Sequence, residues 1–325
     1  VSTGQSAATG APLLEASGIV KSYGHVEALR GADFTVHAGE VVALIGDNGA
    51  GKSTLTKILS GVQRPDGGTI RLDGVPVAFD RVEQAREAGI ETVHQDLALC
   101  AQLTPAANFF LGREVLRGGL LGRLGFLDHK AMRDRARAEC ERLGIRLKSD
   151  TVPVSTLSGG QRQGVAVARA VTWARRVVFM DEPTAALGVV QTGRVLDLIR
   201  RVRDTGVAVV LISHNMQDVK AVSDRIEVLR LGARVARFDT ARVSMEELVA
   251  AMTGATSEAM TDAMATAAEE ATGEPPRAAG PTRTDTPTRA DGPPRADGPT
   301  RADGSTRVDG AGRDERGAAA REEER

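Results

Sequence analysis

The chain has 325 residues, a formal net charge of -1, 41% apolar side chains and only 3% aromatic ones, a balance that excludes a generally basic nucleic-acid binder. Its longest apolar runs, such as VAVVLI at 207 to 212, are strand-length and fall well short of the roughly 18 residues of a membrane span. The only two cysteines, Cys100 and Cys140, form no CxxC pair, which suits a reducing cytoplasm.

Residues 1 to 11 are small and polar, unlike a signal peptide or a transit helix, and are expected to be a flexible leader. From 12 to 255, short β-branched runs alternate with helical stretches, which predicts an α/β domain built largely on parallel strands. The clearest strands are 41 to 45, 177 to 180 and 207 to 213, each apolar on both faces as a buried central strand should be. Between them, residues 96 to 175 are rich in helix formers (HKAMRDRARAECERLG) and predict an inserted helical subdomain. Residues 226 to 229 and 235 to 238, around Gly232, predict a closing hairpin. Phe238 is the last aromatic residue. Residues 256 to 325 therefore lack the apolar mass for a core, and the repeat PTRADG, PPRADG, PTRADG marks them as a disordered tail.

After the strand VVALI comes GDNGAGKST, which fits G-x-x-x-x-G-K-[ST]. Gly46, Gly49 and Gly51 let the backbone of Asp47, Asn48 and Ala50 wrap closely enough to aim N–H groups at phosphate oxygens. A helix expected over 53 to 59 turns its positive end to the same phosphates. Lys52 supplies charge to the β and γ phosphates, and Ser53, followed by Thr54, an oxygen for Mg²⁺. The apolar strand VVFM then ends in two adjacent acids, Asp181 and Glu182. Like charges at the mouth of a buried strand are costly unless a cation offsets them. Asp181 takes the position that helps hold Mg²⁺, which leaves Glu182 to polarise an attacking water.

LSGGQRQ at 157 to 163 resembles the signature of ATP-binding cassette (ABC) ATPases. The resemblance covers about residues 13 to 255. It implies a P-loop nucleoside triphosphatase with a RecA-like core, an antiparallel β region and an inserted helical subdomain. It further implies that Ser158, Gly159, Gly160 and Gln161 grip the γ-phosphate of ATP bound to a second copy in a head-to-tail homodimer. By the same resemblance Gln95, in VHQD, bridges Mg²⁺ and the helical subdomain; His214, in LISHN, is the switch histidine; and Tyr23 stacks on adenine. Gln95, Lys52, Glu182 and His214 form the implied catalytic set.

The strings AREAGIETVHQDLAL, NFFLGRE and DEPTAALGVVQ are similar to the monosaccharide importer group, of ribose, xylose and fructose type. That likeness implies an ATPase on the cytoplasmic face of the membrane, separate permease subunits and an extracytoplasmic sugar-binding protein. One phosphate loop and one signature point to the single-cassette branch. One residue departs from that branch, His94, which stands where it usually has Tyr; Gly188 ends ALG where most cassettes end in Asp, and in this it agrees with the importer group. DNA-repair ABC ATPases would need a long coiled coil between Lys52 and Ser158. A translation-type protein would need two cassettes, and a non-hydrolysing regulatory subunit would not retain Lys52, Asp181, Glu182 and His214.

Overall fold

The computed structural model describes residues 10–254 apart from 146, 148 and 186, so the tail at 256 to 325 and most of the expected leader lie outside the described residues. The elements run β1 (Leu14–Tyr23), β2 (Val26–Val36), β3 (Val41–Ile45), α1 (Lys52–Leu59), β4 (Gly67–Leu72), β5 (Val75–Val77), α2 (Val82–Glu87) and β6 (Ile90–Val93). There follow α3 (Pro105–Phe109), α4 (Gly119–Arg123), α5 (His129–Arg142), α6 (Gly159–Trp173), β7 (Val177–Asp181), α7 (Val189–Asp204) and β8 (Ala208–Ile212). The last are α8 (Met216–Val222), β9 (Arg225–Arg230), β10 (Ala233–Asp239) and α9 (Met245–Thr253).

The three expected central strands form β3, β7 and β8, with the last one residue shorter at each end than 207 to 213. They lie in a six-stranded sheet of order β10-β9-β3-β8-β7-β6, parallel except for β10, which closes it as the antiparallel hairpin partner of β9. The period of two explains why these runs are apolar throughout. On β7, Val178 and Met180 pack with α6 and α7, whereas Val177 and Phe179 pack with α1 and the second sheet. Each such side chain, taken wholly out of water, contributes about 1.5–3 kcal/mol.

The second sheet, β2-β1-β4-β5, is antiparallel and packs its Leu14, Ile19, Leu29 and Phe34 into the same core as α1. Three register shifts along β1 and β2 break the alternation that would have marked these strands. Between residues 96 and 175 the described residues hold helices α3 to α6, a 3-10 turn and one isolated bridge, Leu116 to Leu127. The segment is not detached from the sheet. Val165, Val167 and Val171 of α6 share a core with Val178, Val209 and Leu211.

A buried charge network ties the two sheets together. Glu227 on β9, 0% exposed, accepts from Arg225, from Arg237 Nε at 3.0 Å and from Arg234 Nη1 at 3.5 Å. Arg225 also donates to Glu40 Oε1 at 2.7 Å and to the Thr35 carbonyl of β2 at 2.7 Å. Burial pushes the Glu40 carboxyl up, but the hydrogen bond and charge of Arg225, together with the hydrogen bonds from His37, outweigh it and hold the group below its ordinary range. Both cysteines are free, and burial pushes the Cys140 thiol up to about 12, so it behaves as a core side chain.

Candidate nucleotide-binding site

In the parallel sheet β3, β8, β7 and β6 are successive neighbours, so the segments that follow them emerge along one edge. Those segments carry, in that order, GDNGAGKST, His214, Asp181 with Glu182, and Gln95. The carboxyl edge of an open parallel sheet is where loops and helix starts can converge on a ligand.

The phosphate loop is shaped by glycines that nothing larger could replace. Gly46 has φ 148°, and a Cβ there would fall 2.1 Å from the Leu229 carbonyl oxygen. Gly51, at φ 102°, caps α1 and would put a Cβ 2.8 Å from the Ala28 oxygen of β2. Gly232, in the β9–β10 turn, completes the contact, donating to Ala50 O at 3.1 Å and accepting from Arg30 N at 2.8 Å. The loop thus rests on β2 and the hairpin, with its other side open.

Lys52 opens α1, one residue before the expected start. Its ammonium donates to Gly46 O at 2.6 Å and Asp47 O at 3.0 Å, and no ion pair joins it to a carboxylate among the described residues. Burial pushes this ammonium below its ordinary range, against the pull of Glu182, Asp47 and Asp181. For Asp181 the direction is opposite. Burial first, and then the Glu182 charge, push its carboxyl up, against His94, Lys52 and Lys57. These charged groups sit close enough to feel one another yet do not neutralise one another.

Glu182 sits at φ 49°, a left-handed conformation that costs a non-glycine residue about 1–2 kcal/mol. The backbone is held there by Glu182 N donating to Ile212 O at 2.9 Å. The side chain meets His214 Nδ1 at 2.7 Å, the carboxylate largely covered at 16% exposure and the imidazole 76% exposed. A general base oriented by a histidine is within this pair's reach. Nearby, Thr184 Oγ1 donates to the buried Asp218 at 2.7 Å, fixing the turn after Pro183 to α8.

Gln95 is exposed and lines, with His94, Asp96, Ala98 and Asp181, a cavity of about 720 Å³. The chain beyond it is strained, Leu97 and Ala98 having φ 61° and 45°. Arg169 of α6 holds that turn, donating to Ala98 O at 2.7 Å and Leu97 O at 3.1 Å. Sequence reasoning missed Arg169. The available signal was a lone cation inside the apolar stretch VAVARAV.

The remaining expected residues lie apart from this group. Ser158 caps α6, accepting from Gln161 N at 3.3 Å while Gln161 Oε1 accepts from Ser158 N at 3.1 Å, a reciprocal capping box. Among the described residues no hydrogen bond joins Ser158, Gly159 or Gly160 to the phosphate loop. Gly159 and Gly160 instead admit Leu187 and Gln191, which a Cβ would approach at 3.6 and 3.1 Å. Tyr23, at the end of β1, donates its hydroxyl to Gln63 beyond α1, with Lys21 Nζ 5.9 Å from the ring centre.

A glycine loop between a buried parallel strand and a helix, facing an acid pair on the next strand but one, defines a P-loop nucleoside triphosphatase. The comparisons narrow that class. The family model described as ABC transporter matches residues 29–185. The chain is 52% identical over 246 residues to the fructose import ATP-binding protein of Rhizobium meliloti, covering 75% of this chain and 95% of that one. It is 44% identical over 241 residues to the xylose/arabinose import ATP-binding protein of Sulfolobus acidocaldarius, covering 74% and 94%. A ribose import ATP-binding protein of Burkholderia pseudomallei matches at 45% over 244 residues, but the chain spans only 47% of its length. Among solved structures, a cassette from Clostridium perfringens that is part of an ABC transporter complex superposes with a TM-score of 0.62 at 25% identity, over 78% and 99% of the chains. The chain belongs to the ATP-binding subunits of ABC transporters, enzymes that bind and hydrolyse ATP. Among the described residues no helix is long and apolar enough to cross a membrane.

Proposed function

We propose that this chain is the ATP-hydrolysing subunit of a monosaccharide importer. It would work as a homodimer on the cytoplasmic face of the membrane, beneath separate permease subunits served by an extracytoplasmic sugar-binding protein. The observation that carries the reading is the 52% identity to a fructose import ATP-binding protein along 95% of that protein's length, together with the phosphate loop and acid pair on one sheet edge. In the proposed organisation residues 12 to 255 form the cassette, 96 to 175 its helical part, and 256 to 325 a dispensable tail.

In this reading Gly46, Asp47, Asn48, Gly49, Ala50, Gly51, Lys52, Ser53 and Thr54 cradle the phosphates, and Tyr23 stacks on adenine. The donors of Ser53, Gln95 and Asp181 are hard oxygens with a single carboxylate, which suits Mg²⁺ shared with nucleotide phosphates rather than a cage made of protein alone. Bound there, Mg²⁺ would offset the charge of the phosphates and of Asp181. Glu182 accepts the proton of the attacking water, and His214 fixes the carboxylate's direction. Ser158, Gly159, Gly160 and Gln161 face the nucleotide of the second copy. Their separation from the phosphate loop within one chain supports this, as does a solved cassette, 24% identical, in a dimeric post-hydrolysis state bound to ADP and Pi.

The test is transport. The chain is reconstituted in proteoliposomes with a permease and a sugar-binding protein of the importer group from the same genome, and uptake of labelled fructose, ribose and xylose is measured with and without internal ATP. ATP-dependent accumulation of one of the three is expected. ATP hydrolysis without uptake of any of them would overturn the sugar assignment while leaving the ATPase intact.

A further inference from the structure

Fourteen large apolar residues are exposed among the described ones, and six of them, Leu111, Leu116, Leu120, Leu121, Leu124 and Phe126, fall within sixteen consecutive positions. Scattered apolar exposure is ordinary, but this concentration is not. The segment VLRGGLLGRLGFL, residues 115 to 127, folds as a hairpin around α4. Its base is anchored, with Val115 and Leu127 packed on the core and Asp128 N donating to Val115 O at 2.7 Å. Beyond the base the side chains turn outward, Leu120 being 72% and Leu124 65% exposed.

Part of the backbone of this tip is paired internally. Arg117 N donates to Phe126 O at 2.9 Å, Phe126 N to Leu121 O at 3.0 Å, Leu124 N to Leu120 O at 3.1 Å and Gly125 N to Gly122 O at 3.0 Å. Gly122 is where the winding is closest, since a Cβ there would fall 1.9 Å from Arg117 O. These bonds lower the cost of bringing the tip to an apolar boundary, while the uncapped first-turn amides of α4 remain free to meet headgroup oxygens. Between Glu114 and Asp128, which bound it, the charge is of one sign. Arg117 and Arg123 are exposed, and residues 115 to 127 contain no acid.

We propose that the 115 to 127 hairpin is a membrane-contact element that seats its leucines and Phe126 at the headgroup boundary of an anionic phospholipid surface, with Arg117 and Arg123 against the lipid phosphates. Apolar side chains beside cations are the composition that binds such an interface, and the anionic surface attracts each arginine further. The element adds a direct lipid contact to an ATPase held otherwise through its permease. It rests on the hairpin's own chemistry and not on the identity of the sugar.

The full chain is tested by flotation with phosphatidylglycerol-containing vesicles and with pure phosphatidylcholine vesicles. Binding to the anionic vesicles is expected, weakened by salt. It should fall about tenfold in Leu120→Ser/Leu124→Ser and by a similar factor, about tenfold, in Arg117→Gln/Arg123→Gln. Solution ATPase activity should stay unchanged in both variants, showing that they fold. In Phe126→Trp the new indole should shift to the blue on anionic vesicles and be quenched by brominated acyl chains. No vesicle binding by the parent, or equal binding by the leucine variant, overturns the proposal. It is also overturned if Leu120→Ser/Leu124→Ser keeps vesicle binding but loses the permease in detergent, which would assign the hairpin to a protein partner. Loss of dimer in that variant, with vesicle binding kept, would overturn it in favour of a second copy.

Discussion

Two charged clusters in this molecule use the same side chains to opposite ends. Around Glu227 a buried carboxylate is surrounded by Arg225, Arg234 and Arg237, with Glu40 completing the chain of pairs. Around Lys52 the acids Asp181 and Glu182 lie near an ammonium that bonds to backbone carbonyls instead of to either of them, and burial works against the charged form of both Lys52 and Asp181. The first cluster is closed, every charge having a partner in the chain. The second is open, and a phosphate with its cation would complete it. Removing a charge should therefore damage the first and relieve the second.

The largest effect is expected on turnover. Glu182 is held in a left-handed conformation with its carboxylate against His214, an arrangement whose cost is explained if the group acts on water. Glu182→Gln keeps the shape and removes the base. Mg²⁺-dependent ATP hydrolysis should fall about 10²–10⁴-fold while ATP binding persists. Steady-state phosphate release and nucleotide binding on the same sample check this. Turnover equal to the parent's would take the catalytic carboxylate away from Glu182.

The closed cluster is tested by Glu227→Gln, which leaves three guanidinium groups around a neutral amide. Breaking a buried pair on one side costs about 3 kcal/mol or more, and a loss of that size lowers Tm by roughly 6–12 °C in a domain of this length. Thermal unfolding without nucleotide reads the change. A shift below a degree or two would erase the distinction between the clusters.

The open cluster predicts the opposite sign. Because Asp181 is raised above its ordinary 3.8 in the folded protein, the native state holds more protons than the unfolded one as pH climbs through that range. Stability on this account is fully present below the ordinary value and is lost as pH rises through the folded one. Asp181→Asn removes the loss. In EDTA and without nucleotide its Tm should exceed the parent's by about 1–3 °C near neutral pH, after discounting for solvent. The two curves should converge as the pH is lowered toward the ordinary carboxylate value. A lower Tm for Asp181→Asn at neutral pH would show that the acid is satisfied within the chain.

The two clusters also differ in how far they can be read from sequence. The open one was legible because its backbone requirements leave marks: glycines at fixed spacing, a strand with no polar residue, and two acids where a buried strand ends. The closed one was not. Arg225, Glu227, Arg234, Arg237 and Glu40 fall in no motif or spacing that marks them, and the pairing of β9 with β3 and β10 is what buries Glu227. Strands β1 and β2 were hidden for a related reason, since bulges interrupt their alternation. The Arg169 latch left only a lone cation in an apolar stretch as its mark, because its partners are carbonyl oxygens some seventy residues away. Features that depend on one segment's own chemistry show in the sequence, while those that depend on where another segment arrives do not.

The smallest effect concerns Gly188, where the sequence lacks the expected acid. Gly188 is the N-cap of α7, extended at φ -74° and ψ 164°, and provides no side-chain cap. Aspartate fits that backbone without strain and can accept from the first-turn amides. Its Cβ would meet only the Gln191 side chain, whose free end Oε1 lies at 2.8 Å. On helix grounds alone Gly188→Asp should stabilise the chain by a few tenths of a kcal/mol, with about 1 °C in Tm. The same position lies beside exposed Val189 and Val190 and beside Leu187, which reaches Gly159 of the signature. If this surface meets the second copy through backbone and small side chains, a new carboxylate there lowers ATP turnover at concentrations where the dimer forms. The expected result is a protein slightly more stable and slower by about twofold or more. Equal turnover with the higher Tm would reduce Gly188 to a helix start and nothing else.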